Sequence, residues 1–341
     1  MQTHIRFPVT PSIGSGENRL TSIEVCAGAG GQAIGLEQAG FQHVAAIEID
    51  PHACATLRAN RPSWNIVEAD LTEWVKHEAH NYIGVDVLAG GVPCPPFSVA
   101  GKQLGPQDER DLFPTMVELT SIVKPRAVMI ENVKGLLSAK FDKYREKLAN
   151  EFHALGYQLQ WKLLHAADYG VPQLRPRAVG IALPPELSDK FSFPSPLDHE
   201  APTVGETLKD LMGANGWPGA SAWATQANKI APTIVGGSKK HGGPDLGPTR
   251  AKQAWTELGV DGKTIGNEPP AADFVGPPKL TVRMVARLQG FPDDWEFFGA
   301  KTHAYRQVGN AFPPPVAAAV AKQLHSVLQA DPTRKQLAAA T

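Results

Sequence analysis

Seven short apolar runs, interleaved with stretches of helical character, fill the first half of the chain, and this alternation constrains the fold more than any other feature. The runs fall at residues 21–25, 44–49, 65–67, 85–89, 127–130, 158–164 and 178–182. Strands alternating with helices build a mostly parallel sheet covered by helices on both faces. The expected fold class is therefore α/β, a doubly wound, mostly parallel sheet. Asp50-Pro51 offers an N-cap followed by proline at the first helical position, and Gly40 and Gly156 stand where helices should end.

From residue 184 to 278 the periodicity gives way to Gly/Pro-rich segments such as 213–219 and 236–247, expected to form a smaller irregular domain inserted in the first. Helix signals return at 280–288 and 314–328. A chain of 341 residues has room for one large domain and a smaller one. The expected division is a flexible leader at 1–19, the main domain at 20–183, the inserted domain at 184–278, a return to the main domain at 279–330 and a flexible tail at 331–341.

Composition excludes several classes of function. No apolar run approaches the length of a membrane span, and the polar first nineteen residues lack the apolar core of a signal peptide, so a cytoplasmic protein is expected. Cys26, Cys54 and Cys94 form no C-x-x-C pair and no His-paired spacing, and an odd number argues against a disulfide framework; neither metal nor bridges are expected. A net charge of −1 excludes a broadly basic coat, so a nucleic-acid site must come from local clustering.

Residues 24–33, Glu-Val-Cys-Ala-Gly-Ala-Gly-Gly-Gln-Ala, follow the first expected strand and open a helix. That is the context of a glycine turn that lets backbone approach a nucleotide cofactor, with Ala27, Gly28, Gly30 and Gly31 at the turn. Glu48 ends the second run, where a carboxylate can accept from both hydroxyls of a ribose. These two features fit NAD as well as S-adenosylmethionine. Asp70 ends the third run, placed to accept from an adenine amino group, which suits an adenosine better than a pyrophosphate. Each carboxylate taken singly reads equally well as a strand-end cap. Their placement after three successive strands argues against coincidence.

Cys94 stands between Pro93 and Pro95 just after the fourth run, on a loop whose covalent stiffness fixes the thiol's approach. Thiolate is an intrinsically strong nucleophile. Glu131 follows the fifth run, so a thiol and a carboxyl are expected at the same sheet edge, facing the cofactor pocket. Arg175 and Arg177, in Gln-Leu-Arg-Pro-Arg, precede the seventh run; with no partner known, paired arginines also read as solvated surface.

In order, the glycine turn, Pro93-Cys94, Glu131-Asn132-Val133, Gln173-x-Arg175-x-Arg177, Arg287-Leu288-Gln289-Gly290-Phe291-Pro292 and Gln307-Val308-Gly309-Asn310 resemble the motifs of the DNA (cytosine-5)-methyltransferases in their bacterial restriction-modification form. The resemblance covers residues 20–183 and 280–328. It implies a Rossmann-like S-adenosyl-L-methionine-dependent fold with residues 184–278 as the target-recognition domain. It further implies that Cys94 attacks carbon 6 of a flipped cytosine, Glu131 holds or protonates ring nitrogen 3, and Arg177, with Arg175 beside it, binds the ring oxygen and orients Glu131. Ala27, Gly28, Gly30, Gly31, Glu48, Asp70, Pro93 and Asn310 are expected to hold the cofactor, with Asn310 at its amino-acid end. The chain departs from family usage at Cys26, usually phenylalanine, and at Pro95, usually glutamine.

The implied partner is double-stranded DNA, acted on by a monomer, with a separate cognate restriction endonuclease. Residues 98–111 carry Gly101 and Gly105 with Lys102 and Arg110, and resemble the family's mobile loop. Acidic residues outnumber Lys and Arg eleven to eight in 184–278, so that region is no simple electrostatic clamp. Within it, Lys229, Lys239, Lys240, Arg250 and Lys252 face only Asp245, and Lys239, Lys240, Arg250 and Lys252 are the expected DNA contacts there. Rival readings are a tRNA cytosine-5 methyltransferase, whose usual Cys-Phe-Thr signature is absent, a catalytically silent DNA-binding regulator, and an NAD-dependent oxidoreductase, which leaves the Cys94 loop unexplained.

Overall fold

The computed structural model describes residues 19–93, 111–237 and 243–331. Most of the expected leader and tail, and the Cys94 loop with Lys102 and Arg110, therefore lie outside the described residues. Seven strands form one sheet: β1 (Thr21–Val25), β2 (Gln42–Glu48), β3 (Ile66–Glu68), β4 (Val87–Gly90), β5 (Ala127–Val133), β6 (Gln158–His165) and β7 (Pro176–Leu183). Their order is β3-β2-β1-β4-β5-β7-β6. Neighbours from β3 to β5 are parallel, and β7 alone runs against them, antiparallel to β5 and β6. The mostly parallel sheet agrees with the reading of the seven runs. One boundary differs in a way that matters: β5 continues through Glu131, Asn132 and Val133, because β7 stays paired with it to the register Val133–Arg177.

Twelve helices accompany the sheet among the described residues: α1 (Gly31–Gln38), α2 (Pro51–Asn60), α3 (Leu71–Glu78), α4 (Phe113–Val123), α5 (Asp142–Ala154), α6 (Pro185–Ser188), α7 (Val204–Met212), α8 (Ala220–Gln226), α9 (Thr249–Glu257), α10 (Val282–Leu288), α11 (Lys301–Asn310) and α12 (Pro314–Ala330). The pleat sorts the sheet's apolar side chains. Val87, Ala89, Ala127, Met129, Val179 and Ile181 pack with Leu36 of α1 and Val320 and Leu324 of α12. Leu88, Val128 and Ile130 point the other way, to Trp74 of α3, Met116 and Leu119 of α4 and Phe152 of α5. Both faces are thus dry, which is why these strands read as continuous apolar runs.

The carboxyl ends of the parallel strands open toward the glycine turn, and the chain's C-terminal part returns to that end. A Cβ on Gly35 would lie 2.4 Å from Ala317 Cβ, so α12 lies against α1 at a distance that only glycine permits. A further core joins Ile34 and Leu57 to Leu208, Met212, Trp223 and Trp255, and to Met284, Leu288 and Tyr305. Apolar contact is therefore continuous between the sheet, the segment carrying α7 to α9, and the returning helices α10 and α11.

Candidate active site

The strand order reverses between β1 and β4, and at that switch point lies a cavity of about 470 Å³. Its wall takes Glu24, Cys26, Ala27, Gly28 and Gly31 from β1 and the turn after it. Glu48 at the end of β2, Gly91 and Pro93 after β4, Glu131 on β5 and Asn310 on α11 complete the enclosure. Four strands thus bring residues distant in sequence to one edge.

The turn is built for close approach. Gly28 and Gly30 take φ of 54° and 88°, and Cys26, at 52°, holds the same left-handed conformation without glycine's freedom. Ala27 N donates to Ile47 O at 3.2 Å, fastening the turn to β2. Gly31 cannot carry a side chain, since its Cβ would stand 2.2 Å from Phe312 O. Glu48 Oε2 accepts from Gly28 N at 2.7 Å, and Oε1 accepts from Ile49 N and Asp50 N, both at 2.8 Å. Its carboxylate therefore braces the turn while lining the cavity. Gly30 is absent from the cavity wall; it is the N-cap of α1, and a Cβ there would press Leu57 Cδ2 at 2.7 Å.

Asp70, expected at an adenine, is the N-cap of α3 and is not among the residues lining the cavity. Its Oδ1 accepts from Thr72 N at 2.8 Å and from the Thr72 hydroxyl, which holds the carboxyl below its usual range. The first helical turn needs an acceptor at that position whatever binds nearby.

At the chemical end Glu131 Oε1 lies 2.6 Å from Arg177 Nε, an ion pair between adjacent strands with both side chains nearly buried. Burial pushes the Glu131 carboxyl above its ordinary value, while Arg177 and then Arg175 pull it back. The Arg177 guanidinium is itself lowered by burial. Next to Glu131, Asn132 Nδ2 donates to Val92 O at 2.9 Å, and Leu112 N donates to Pro93 O at 3.1 Å. Those two bonds hold both ends of the segment carrying Cys94, which itself lies outside the described residues.

The two arginines have different partners. Arg175 is fully buried and does not reach the cavity: Nη1 donates to Ile234 O, and Nη2 to Gly309 O at 2.8 Å and Ala311 O at 2.7 Å. It pins α11 to the segment after α8. Gln173 and Gln289 extend that network, with Gln173 Nε2 on Leu288 O at 3.2 Å and Gln289 Nε2 on Ala311 O at 2.8 Å. Arg287 is spent on Asp210 and Asp293.

Among the expected DNA contacts, Lys239 and Lys240 lie outside the described residues, as do Lys102 and Arg110. Arg250 is exposed, whereas Lys252 Nζ is 3.1 Å from Asp245 Oδ2, so its charge is already paired. Sequence reasoning did not single out several wall residues: Glu24, Gln32, Asp50, His303, Arg306 and Phe312. Arg306 stood one residue before a motif that was recognised.

Among the described residues no helix is long and apolar enough to cross a membrane, and no group of three or more His, Cys, Asp or Glu is placed to hold a metal. Residues 20–326 match the family described as C-5 cytosine-specific DNA methylase. The chain is 56% identical over 312 residues to the Type II methyltransferase M.NaeI of Lentzea aerocolonigenes, covering 91% of this chain and 75% of that one. It is 53% identical over 314 residues to the Type II methyltransferase M.NgoMIV of Neisseria gonorrhoeae, covering 91% and 99%. The structure of Entamoeba histolytica methyltransferase EhMeth superposes with a TM-score of 0.62 at 15% identity, covering 91% and 99%, a likeness of fold alone.

Proposed function

The chain belongs to the C-5 cytosine-specific DNA methylases, and from that premise we propose that it methylates carbon 5 of a cytosine within a short double-stranded DNA sequence, with S-adenosyl-L-methionine as donor and Cys94 as nucleophile. The relatives' names as Type II methyltransferases favour a role in protecting host DNA from a cognate restriction endonuclease; a cytoplasmic monomer is part of the same proposal. The observation that carries the reading is Glu131, paired with Arg177, on the wall of the same cavity as the glycine turn and Pro93.

The cavity fits an adenosine cofactor. Its volume lies within the range of small-molecule sites, about 300–1,000 Å³. Buried polar atoms on its wall, Glu24 Oε2 and Gln32 Nε2, have no partner among the described residues. Bound there, the cofactor supplies an electrophilic methyl group on a cationic sulfur. The protein's part is to make carbon 5 nucleophilic. Cys94 Sγ bonds to carbon 6 of the extruded cytosine while Glu131 gives a proton to nitrogen 3, so the ring's electron pair becomes available at carbon 5. Burial raises the proton affinity of Glu131, and Arg177 holds its carboxyl in place and neutralises it once the proton has left. Carbon 5 then takes the methyl group as the pair of the methyl–sulfur bond goes to a neutral thioether, a base removes the carbon 5 proton, the carbon 6–sulfur bond breaks to return the Cys94 thiolate, and nitrogen 3 returns its proton to Glu131. General-acid help of this kind is worth about 10²–10⁴ in rate.

The test is transfer of labelled methyl groups from S-adenosylmethionine to unmethylated duplex DNA and, in parallel, to bulk tRNA, followed by base-resolved mapping of 5-methylcytosine. Label at one short DNA motif, lost in Cys94→Ala with cofactor binding intact, is the expected result. Label in tRNA, or full activity in Cys94→Ala, would overturn the reading.

A further inference from the structure

Trp295 stands three residues beyond Arg287-Leu288-Gln289-Gly290-Phe291-Pro292 and reaches back to the glycine turn. Its Nε1 donates to Ala29 O at 3.1 Å, a buried bond across 266 residues of sequence. Ala29 lines the first cavity and Trp295 is not among its lining residues, so the indole grips the turn from outside that wall. The ring also closes on the next residue: a Cβ on Gly30 would lie 3.1 Å from Trp295 Cζ2. Burial alone does not place an acceptor before an indole, since the N–H groups of Trp161, Trp223 and Trp255 are buried without a partner.

The turn needs support from outside itself. Cys26, Gly28 and Gly30 all take left-handed φ, at 52°, 54° and 88°, and Cys26 does so with a side chain that disfavours it. Ala27 N and Gly28 N are held from β2, by Ile47 O at 3.2 Å and Glu48 Oε2 at 2.7 Å. Ala29 lies beyond that grip, one residue before Gly30, whose carbonyl takes the first bond of α1 from Ile34 N at 2.8 Å. Trp295 supplies the fixing point between the two.

The indole is itself well placed for this. Trp295 N donates to Pro292 O at 3.1 Å, and the Arg61 guanidinium lies 5.0 Å from the centre of the ring, set there by Glu37 of α1 at 2.8 Å. Glu296 N donates to Asn60 Oδ1 at 2.9 Å and Asn60 Nδ2 to Glu296 O at 2.7 Å, fastening the next residue to α2. A second cavity, of about 740 Å³, borders Trp295, so packing does not enclose the ring on every side and the bond to Ala29 helps to register it.

Resting on the reading of the first cavity as an S-adenosylmethionine site, we propose that Trp295 is a positioning residue for that cofactor: it acts through the turn and not on the ligand, holding Ala29 O so that the backbone keeps the conformation that receives it. Without the indole N–H, Ala29 O loses its partner and the turn leaves its left-handed path in a fraction of the molecules. Apparent affinity then falls in proportion to the fraction still competent.

Calorimetric affinities for S-adenosylmethionine at 25 °C, where every variant is folded, test this in wild type, Trp295→Phe and Trp255→Phe. Trp295→Phe keeps an aromatic ring and loses only the donor; it should bind about two- to tenfold more weakly, the range of one buried neutral hydrogen bond. Trp255→Phe removes an indole N–H that has no partner in the same core, and should bind as wild type does even if it melts earlier. In methyl transfer to duplex DNA, Trp295→Phe should raise KM for S-adenosylmethionine by the factor seen in binding, with kcat within about twofold and KM for DNA unchanged. Should Trp295→Phe fail to fold, Arg61→Met carries the test: it removes the cation over the ring and should weaken cofactor binding about two- to fivefold. Wild-type affinity in the folded variant, an equal loss in Trp255→Phe, or a fall in kcat with KM unchanged would overturn the assignment while leaving the cofactor reading standing. Failure of wild type to bind S-adenosylmethionine would overturn the cofactor reading, and the assignment with it.

Discussion

Arg175→Lys separates the two arginines of the Gln-Leu-Arg-Pro-Arg segment. In the wild type one planar guanidinium reaches the carbonyls of Ile234, Gly309 and Ala311, which belong to segments 59 to 136 residues away in sequence. Lysine keeps the charge, but a single nitrogen cannot span what the guanidinium fork spans, so two of the three carbonyls lose their donor. A buried hydrogen bond to a charged group contributes about 1.5–3 kcal/mol, so the substitution costs about 3–6 kcal/mol. At roughly 2 °C per kcal/mol for a chain of this size, the melting temperature should fall by about 6–12 °C. Arg177→Lys, which loses one pairing to Glu131, should melt close to wild type and instead lose methyl transfer. The assay is thermal unfolding followed by circular dichroism, with transfer rates at 25 °C corrected for the folded fraction. If Arg175→Lys melts within about 2 °C of wild type, the three-carbonyl accounting is wrong. If its corrected rate falls as far as that of Arg177→Lys, the division of labour between the two arginines fails.

Burial raises the Glu131 carboxyl and Arg177 lowers it, so Arg177→Ala should move its deprotonation to higher pH. In single-turnover profiles the alkaline limb should shift upward even as the amplitude drops, and a limb that stays or moves to lower pH would contradict the pairing. Glu24 binds its proton more tightly in the folded chain than in the unfolded one. That contribution to stability is complete below the ordinary carboxylate range, about pH 4, and is lost as pH rises through the folded value. Urea midpoints should therefore show Glu24→Gln gaining on wild type between pH 5 and pH 8, and a constant difference would refute the sign. For DNA, exposed Arg250 should contribute a full phosphate contact, whereas Lys252 is paired with Asp245. Arg250→Ala should shallow the log–log salt dependence of binding by about one unit, and Lys252→Ala by less. Equal losses would mean that the Asp245 pair opens on DNA.

The centre of the sheet was legible because its strands are dry on both faces: runs such as 85–89 and 127–130 cannot alternate with polar residues when each side meets a helix. The inverted strand β7 was not legible, since periodicity carries no direction, and β7 is what draws β5 out to Val133 and sets Arg177 against Glu131. The charge pattern set Asp245 against five basic residues without saying which it meets, because it counts charges along the chain; in the fold Asp245 pairs with Lys252.

The carboxylates of the first three strands show why residue type and position do not suffice at a strand's end. Glu24, Glu48 and Asp70 occupy comparable places, at or just past a parallel strand's carboxyl end, where the following turn or helix presents unpaired N–H groups. Any acidic side chain there meets two demands, capping and ligand binding, and the sequence looks the same whichever prevails. Occupancy of the oxygens separates them. Asp70 Oδ1 accepts from Thr72 and is not among the lining residues; Glu48 accepts three bonds from main chain and still borders the cavity; Glu24 keeps an oxygen that nothing among the described residues satisfies. A carboxylate already satisfied costs little to leave alone, whereas one left wanting deep in a cavity destabilises the empty protein. That cost is relieved by a proton or by whatever the cavity's occupant brings, so the unmet oxygen of Glu24, which the sequence analysis did not single out, carries information about the site that the two carboxylates it did single out do not.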